Sequence, residues 1–283
     1  MGRRSTNDEL AAVRALASRL GLAAAEPVVQ KLARHTSVRL GPLVARVQSA
    51  GSPEAAWTTM AREVAVAQRL AAEGAPALRP SVDPPPGPYE LDGCIVSLWP
   101  FVEHRPATEA DGAAAGAALK RLHAALAGFE GPLPAYSEAV ADCAALSEDE
   151  AAMSAARPED RALLAGLVRA GLERLPGQSA GWVALHGDTH LGNLMVTAAG
   201  PIWADFEAVC RGPLEWDLLN RPARFRAPFG RLDAELLERL GALRLACVAV
   251  WCWADAERDP EFRAAAEYHT GRLRSEAAAS RFA

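Results

Sequence analysis

Apolar residues recur at helical spacing from Glu9 to Ala25, after which the pattern changes to short alternating runs. The stretch EPVVQKLARHTSVRLGPLVARVQ reads as two or three strands joined by polar turns, the start of an antiparallel sheet. Ser52 and Pro53 suit an N-cap and first helical residue, since the hydroxyl accepts an orphan backbone N–H and proline has none to satisfy. They open a helix running to about Glu73, with Trp57, Met60, Val64 and Ala67 along one face. The prolines of DPPPGP hold that stretch irregular, and GCIVSLW is a further strand, stopped at Pro100. A boundary just after it divides the chain into residues 1–100, rich in strands, and residues 101–283, mainly helical. In the second part Glu109–Leu126, Tyr136–Ala155 and Asp160–Leu175 carry helical periods. One strand cluster interrupts them: GWVALHGD, NLMVT and PIWADFE, the last two joined by the turn AAG, with long helices again from about Asp233. The predicted class is α+β, an N-terminal antiparallel sheet with one helix followed by a mainly helical remainder.

Composition narrows the function more than the fold. Half of the 283 residues are apolar and 23% are charged, an ordinary globular balance with length enough for one large or two small cores. A net charge of −5 lacks the basic footprint that nucleic acid or anionic lipid requires, so neither a nucleic-acid nor a membrane partner is expected. The five cysteines are scattered without a C-x-x-C pair, which suits reduced thiols in the cytoplasm. The N-terminal start turns acidic before any apolar stretch long enough for a signal peptide, and the run LACVAVWCWA is too short to span a bilayer. Lys31 and Lys120 are the only lysines, so an arginine where lysine is customary carries little information.

The chemistry concentrates in HGDTHLGNLMV, His186 to Val196. Asp188 closes one strand, Asn193 opens the next, and Asp205 ends the hairpin's return strand, so hairpin geometry can bring Asn193 and Asp205 together. Mg²⁺ takes oxygen ligands and keeps several waters, and one carboxylate, one amide oxygen and substrate phosphates form a suitable set. Asp188 is then free to act as a base. Phosphoryl transfer needs such an acceptor for the hydroxyl proton together with metal held by Asp and Asn.

H-G-D-x-x-x-x-N followed by a strand-terminal D-F-E resembles the aminoglycoside phosphotransferase and choline kinase group, relatives of the protein kinases. The resemblance implies a bilobal protein-kinase-like fold over nearly the whole chain, with residues 1–100 as the nucleotide-binding lobe and 101–283 as the catalytic and substrate-binding lobe. It implies Asp188 as catalytic base, Asn193 and Asp205 as ligands of Mg²⁺, ATP or GTP as donor, and Asp217 of GPLEWDL as a brace for the catalytic loop. Gly187 stands where protein kinases often carry arginine, and no A-P-E follows, as expected for a small-molecule kinase.

In the N-terminal third, alternation puts Val44 and Arg46 on one strand face, where family members place an adenine contact and a phosphate-contacting cation. Glu63 on the next helix resembles the acidic partner of that cation. The turn RHTSV lies where a phosphate-covering loop belongs but has no glycine, leaving the Ser37 or Thr36 hydroxyl as donor. Trp99 and Phe101 of LWPFVE flank the expected adenine position, with backbone groups pairing the base. His186 reads as a structural histidine; His190 lies closer to the substrate mouth. The acceptor reads as a small hydroxylated molecule, cationic or neutral: an aminoglycoside-like antibiotic, an amino alcohol or a sugar. Glu207 and the acidic stretch containing Asp255 and Glu257 would attract its ammonium groups.

Three other readings stand beside this one. GQSAG matches the G-x-S-x-G elbow of serine hydrolases with Ser179 as nucleophile, although the elbow needs a strand before the serine and a helix after it, the reverse of the order here. His186, Asp188 and His190 on alternate positions of an extended segment read as metal ligands of a hydrolase, which leaves Asn193 and Asp205 without a role. A catalytically weak kinase-like binding module fits the glycine-free turn but not the intact Asp188, Asn193 and Asp205 set. A P-loop and a dinucleotide fingerprint are excluded, since neither lysine follows a glycine and no G-x-G occurs.

Overall fold

The computed structural model describes residues 4–22, 26–32, 35–175, 177, 181–257 and 259–280. In chain order the elements are α1 (Thr6–Arg19), β1 (Val28–Leu32), β2 (Thr36–Leu40), β3 (Leu43–Gln48), α2 (Pro53–Ala72), β4 (Tyr89–Leu91), β5 (Cys94–Pro100), β6 (Arg105–Pro106) and α3 (Gly112–Leu126). There follow α4 (Tyr136–Glu148), α5 (Pro158–Glu173), β7 (Val183–Leu185), β8 (Leu194–Thr197), β9 (Gly200–Trp203), β10 (Cys210–Gly212), α6 (Glu215–Leu218), α7 (Ala223–Arg226), α8 (Ala234–Asp255) and α9 (Pro260–Ser280). Packing groups the chain into two compact units. Met1–Pro132, His186–Val209 and Ala223–Pro228 form the first; Leu133–Leu185, Cys210–Pro222 and Phe229–Ala283 form the second.

The first unit is built on an antiparallel sheet of order β1-β2-β3-β5-β4. Along β3, Leu43, Ala45 and Val47 are buried while Val44, Arg46 and Gln48 are half-buried on the other face, the alternation expected of the sequence. Val38 and Leu40 of β2 and Cys94, Val96 and Leu98 of β5 extend the buried face, which α1 covers with Ala12, Val13 and Leu16. The opposite face meets α2, where Ala56 and Met60 pack on Ile95. Covered on both sides, β5 reads as an apolar run broken only by Ser97, and each large apolar side chain buried there contributes about 1.5–3 kcal/mol.

Helix boundaries follow side-chain capping. Ser52 Oγ accepts the Ala55 N–H at 3.1 Å and starts α2 as expected, although Trp57, assigned to its apolar face, stays 42% exposed. The first helix begins before Glu9, because Ser5 and Asp8 form a capping box, and it stops at Arg19, where Gly21 soon takes φ 73. It therefore ends short of the expected Ala25, which lies outside the described residues. The α4 helix also ends short of its expected limit at Ala155. Asp149 turns extended and its Oδ1 accepts the N–H groups of Ala151 and Ala152 at 2.9 and 3.1 Å, a local bond set that competes with the helix. Strands β4 and β6 escape the periodicity because they are too short to display alternation.

The β8–β9 hairpin forms with Leu194 opposite Trp203, and β6 adds a third strand beside β8. Trp203 also joins the segment after α2, donating its N–H to the Pro76 carbonyl at 2.9 Å and accepting from Leu78 N at 2.7 Å. Helix α3 packs against α7 so closely that a Cβ on Gly116 would lie 2.0 Å from the Phe225 carbonyl oxygen. Gly116→Ala is accordingly expected to destabilise the protein by about 1–3 kcal/mol through overpacking, outweighing the roughly 1 kcal/mol gain in helix propensity. Urea denaturation measures this, and a stabilised variant would mean that α7 readily shifts off α3.

In the second unit α4, α5, α8 and α9 enclose a core that includes Tyr136, Val140, Leu164, Val168, Leu243, Val250 and Trp253, with the β7–β10 ribbon beside it. Cys94, Cys143, Cys210 and Cys247 are free and buried, and Cys252 is free and half-buried. No helix of the described residues is long and apolar enough to cross a membrane.

Candidate active site

The loop from His186 is held by its own polar atoms. His186 is fully buried; its Nε2 lies 3.1 Å from the Ala204 carbonyl, and its Nδ1 accepts the Asp188 N–H at 3.3 Å. A carbonyl on one side and an amide on the other require the proton on Nε2, so this ring is a neutral staple, the structural role expected of it. Trp203 and Phe206 pack on it with ring centroids at 5.3 and 5.4 Å. Gly187 adopts φ 84, and a Cβ there would fall 1.9 Å from the Ala208 carbonyl oxygen. Glycine is the residue that this close approach permits.

Asp188 carries a carboxylate that is 35% exposed. Asn193 Nδ2 donates to its Oδ2 at 3.1 Å and to its carbonyl oxygen at 2.9 Å. The amide nitrogen being so committed, Oδ1 is the end of Asn193 left for a cation. His190 Nδ1 accepts the Gly192 N–H at 3.0 Å, which leaves the proton on Nε2, 3.4 Å from Asp188 Oδ2. The Asn193 carbonyl accepts the Ala204 N–H at 2.9 Å, tying the loop to the residue before Asp205.

Asp205 lies in the left-handed region at φ 67, uncommon outside glycine, and its Oδ1 accepts from Arg46 Nη2 at 3.1 Å. Arg46 Nη1 donates to Glu63 Oε1, and the same oxygen takes the Phe206 N–H at 3.2 Å. A strand cation thus spans a buried helix carboxylate and the carboxylate at the end of the hairpin. Burial alone would lower the Arg46 pKa, but Asp205, Glu63 and Glu207 reverse this and hold the guanidinium above its ordinary value. Burial pushes the Glu63 carboxyl above the usual carboxylate range, with Asp205 and Glu207 adding to the shift and Arg46 opposing it.

Among the described residues no group of three or more His, Cys, Asp or Glu side chains gathers as a metal site. One carboxylate and one amide oxygen, Asp205 and Asn193, remain a donor set suited to a cation that keeps its waters and binds phosphates.

The profile of the phosphotransferase enzyme family (APH) matches residues 29–274. The chain belongs to that family. None of the curated proteins compared matches the sequence. Among solved structures, this phosphotransferase is similar to amicoumacin kinase hAmiN in complex with AMP-PNP, Ca²⁺ and Ami, with 13% identity, a TM-score of 0.67 and coverage of 96% of each chain. The GDP and kanamycin complex of APH(2")-IIia is similar at 14% identity and TM-score 0.65, over 96% of this chain and 98% of that one. A choline/ethanolamine kinase family protein from Mesorhizobium loti is similar at 17% identity and TM-score 0.60, over 95% and 94%. The fold is therefore the kinase-like α+β fold that the two motifs implied.

The phosphotransferase's remaining candidates divide by position. Ser37 pairs with Arg46 across β2 and β3, and Val44 pairs with Trp99 across β3 and β5, so these residues share the Arg46 face. Thr36 does not: it is fully buried and its hydroxyl donates to Glu9. The Trp99 indole donates to Ser97 Oγ at 2.9 Å, and the Phe101 N–H is taken by the Pro42 carbonyl at 2.7 Å, under an Arg39 guanidinium 3.7 Å from the Phe101 ring. The Phe101 amide is thereby committed within the sheet. Asp217, Asp255 and Glu257 belong to the second unit. Asp217 is buried on α6, and Glu257 accepts from Ser154 Oγ at 3.2 Å. Asp259, in the same acidic stretch, receives the Glu261 N–H at 2.8 Å at the start of α9, a capping role. Ser179 lies outside the described residues.

Pattern reading missed the partners of Glu207. His35 Nε2 bonds Glu207 Oε2, and Arg62 Nη2 donates to the Glu207 carbonyl at 3.2 Å. His35 and Glu207 are 172 residues apart, and no spacing signal joins them.

Proposed function

We propose that this phosphotransferase moves the γ-phosphoryl group of ATP or GTP to a hydroxyl of a small, cationic acceptor. The observation that carries the reading is Arg46 bridging buried Glu63 and Asp205, beside a loop in which Asn193 holds Asp188. The acceptor oxygen attacks the γ-phosphorus as the bridging bond to the β-phosphate breaks, and that bond's electron pair leaves with the nucleoside diphosphate. Asp188 orients the hydroxyl and takes its proton. Arg46 meets the phosphates, and Glu63 fixes the guanidinium for that contact. Asn193 Oδ1 and Asp205 would hold Mg²⁺, which when bound would neutralise charge on the phosphate oxygens. AMP-PNP with Ca²⁺ in hAmiN and GDP in APH(2")-IIia support a nucleotide donor and a divalent cation. Kanamycin in the latter and the choline/ethanolamine kinase likeness support an acceptor bearing both hydroxyl and ammonium groups, which Asp255 and Glu257 would attract.

The test is a screen of ATP and GTP consumption over hydroxylated amines, amino alcohols, sugars and aminoglycosides. Turnover is expected only with acceptor and Mg²⁺ together, and faster at low salt for ammonium-bearing acceptors than for neutral ones. Nucleotide loss indifferent to every acceptor would overturn the transfer reading; equal rates for neutral and charged acceptors would overturn the charge preference.

A further inference from the structure

We infer that His35 is a nucleotide-binding residue, whose imidazole replaces the backbone amides of a glycine-rich loop and exchanges Glu207 for a phosphate oxygen when the triphosphate binds. The inference rests on the nucleotide reading above and deepens it by naming the group that meets the phosphates at the β1–β2 turn.

The sequence between β1 and β2, Ala33 to His35, has no glycine, the residue whose missing Cβ lets a backbone approach a phosphate closely. A donor there has to be a side chain that reaches. A buried anchor aims His35 for that task. Its neighbour Thr36 points to the α1 side, where it donates to Glu9. Glu9 is fully buried, and its Oε1 also accepts Ser49 Oγ at 2.5 Å, so one carboxylate secures the start of β2 and the residue after β3. Residue 36 is secured inward, while Ser37 faces the other way beside Arg46, and His35, in the bend just before β2, sends its ring to Glu207 instead of Glu9.

There the imidazole bonds Glu207, two positions after the Asp205 that Arg46 holds at 3.1 Å. The turn and the strand cation thus converge on one short acidic segment. His35 is 7% exposed, and its Nδ1 is buried with no hydrogen-bond partner among the described residues. Buried polar nitrogens are ordinarily satisfied, so among the described residues this ring is only half complete. Carboxylate and phosphate oxygens compete for the same N–H donor, and a triphosphate brings several acceptors to a ring that now has one.

Calorimetric titration of ATP and adenosine, with GTP and guanosine in parallel and Mg²⁺ present, tests this on wild type, His35→Ala, His35→Gln and Arg46→Ala. His35→Ala is expected to weaken triphosphate binding by about tenfold or more, as loss of a charge-assisted hydrogen bond implies, and to leave nucleoside binding unchanged. His35→Gln, which keeps an N–H donor, should recover part of the loss. If Arg46→Ala loses triphosphate affinity while His35→Ala does not, or loses triphosphate and nucleoside alike, His35 only holds the turn and the inference fails while the nucleotide reading stands. If wild type binds no nucleotide, both fail. Should His35→Ala not fold, the wild-type His35 ring ¹⁵N resonance, assigned by its absence in His35→Gln, serves instead. A shift with triphosphate but not with nucleoside is expected, and no such shift overturns the inference.

Discussion

Asp188→Asn is expected to keep the fold and to lower kcat by about 10²- to 10⁴-fold, the range for loss of a general base. The substitution preserves shape and retains an oxygen able to accept from Asn193 Nδ2, which bonds Asp188 Oδ2 at 3.1 Å and its carbonyl at 2.9 Å. What disappears is the carboxylate proposed to take the hydroxyl proton. The Asp188 backbone remains secured by His186, and a thermal melt should show little change. The KM for the triphosphate should stay near wild type, because Asp188 serves the acceptor and not the donor. A variant that turned over its acceptor at the wild-type rate would remove Asp188 from the chemistry. If instead the metal requirement rose with kcat unaltered, Asp188 would be a ligand.

Asp205→Asn should reduce turnover by about 10²-fold or more and raise the Mg²⁺ concentration for half-maximal rate. Charge stabilisation by a bound metal is worth several kcal/mol, and each 1.36 kcal/mol is tenfold in rate. Asparagine is the informative substitution because position 205 has φ 67, a left-handed conformation that asparagine tolerates and alanine does not. Alanine would mix backbone strain with ligand loss. The change also removes one of the two carboxylates that hydrogen-bond Arg46, but Glu63 remains, so the buried guanidinium keeps a charged partner. A magnesium titration of rate compares the two proteins, and identical half-saturation would overturn the ligand assignment. Asn193→Ala, which removes a neutral ligand, should give the smaller shift.

Much of this frame was legible in the chain because local chemistry specifies local structure. The Ser52 cap, the alternation that sets Val44 and Arg46 opposite the buried Leu43, Ala45 and Val47, and the β8–β9 hairpin each depend on residues a few positions apart. The same locality explains the errors: Asp149 ends α4 by bonding its own neighbours, a contest that apolar periodicity does not register. Thr36 and Ser37 looked interchangeable as hydroxyl donors, yet strand alternation sends one to Glu9 and the other to the Arg46 face.

By itself, the sequence determined which residues are the candidates for chemistry and which face of its strand Arg46 takes. H-G-D-x-x-x-x-N and D-F-E suffice to name Asp188, Asn193 and Asp205, and the period-two pattern suffices to turn Arg46 away from the α1 core. The resemblance named Glu63 as the partner of Arg46, and the structure makes that contact. Only tertiary structure decided that Arg46 also reaches Asp205, that His35 reaches Glu207 and that Glu9 takes Thr36 and Ser49, across separations that no repeat or spacing encodes. The physical reason is that burying a charge requires a partner of opposite sign or a hydrogen bond, while the sequence position of that partner is free so long as the packed elements bring it within reach.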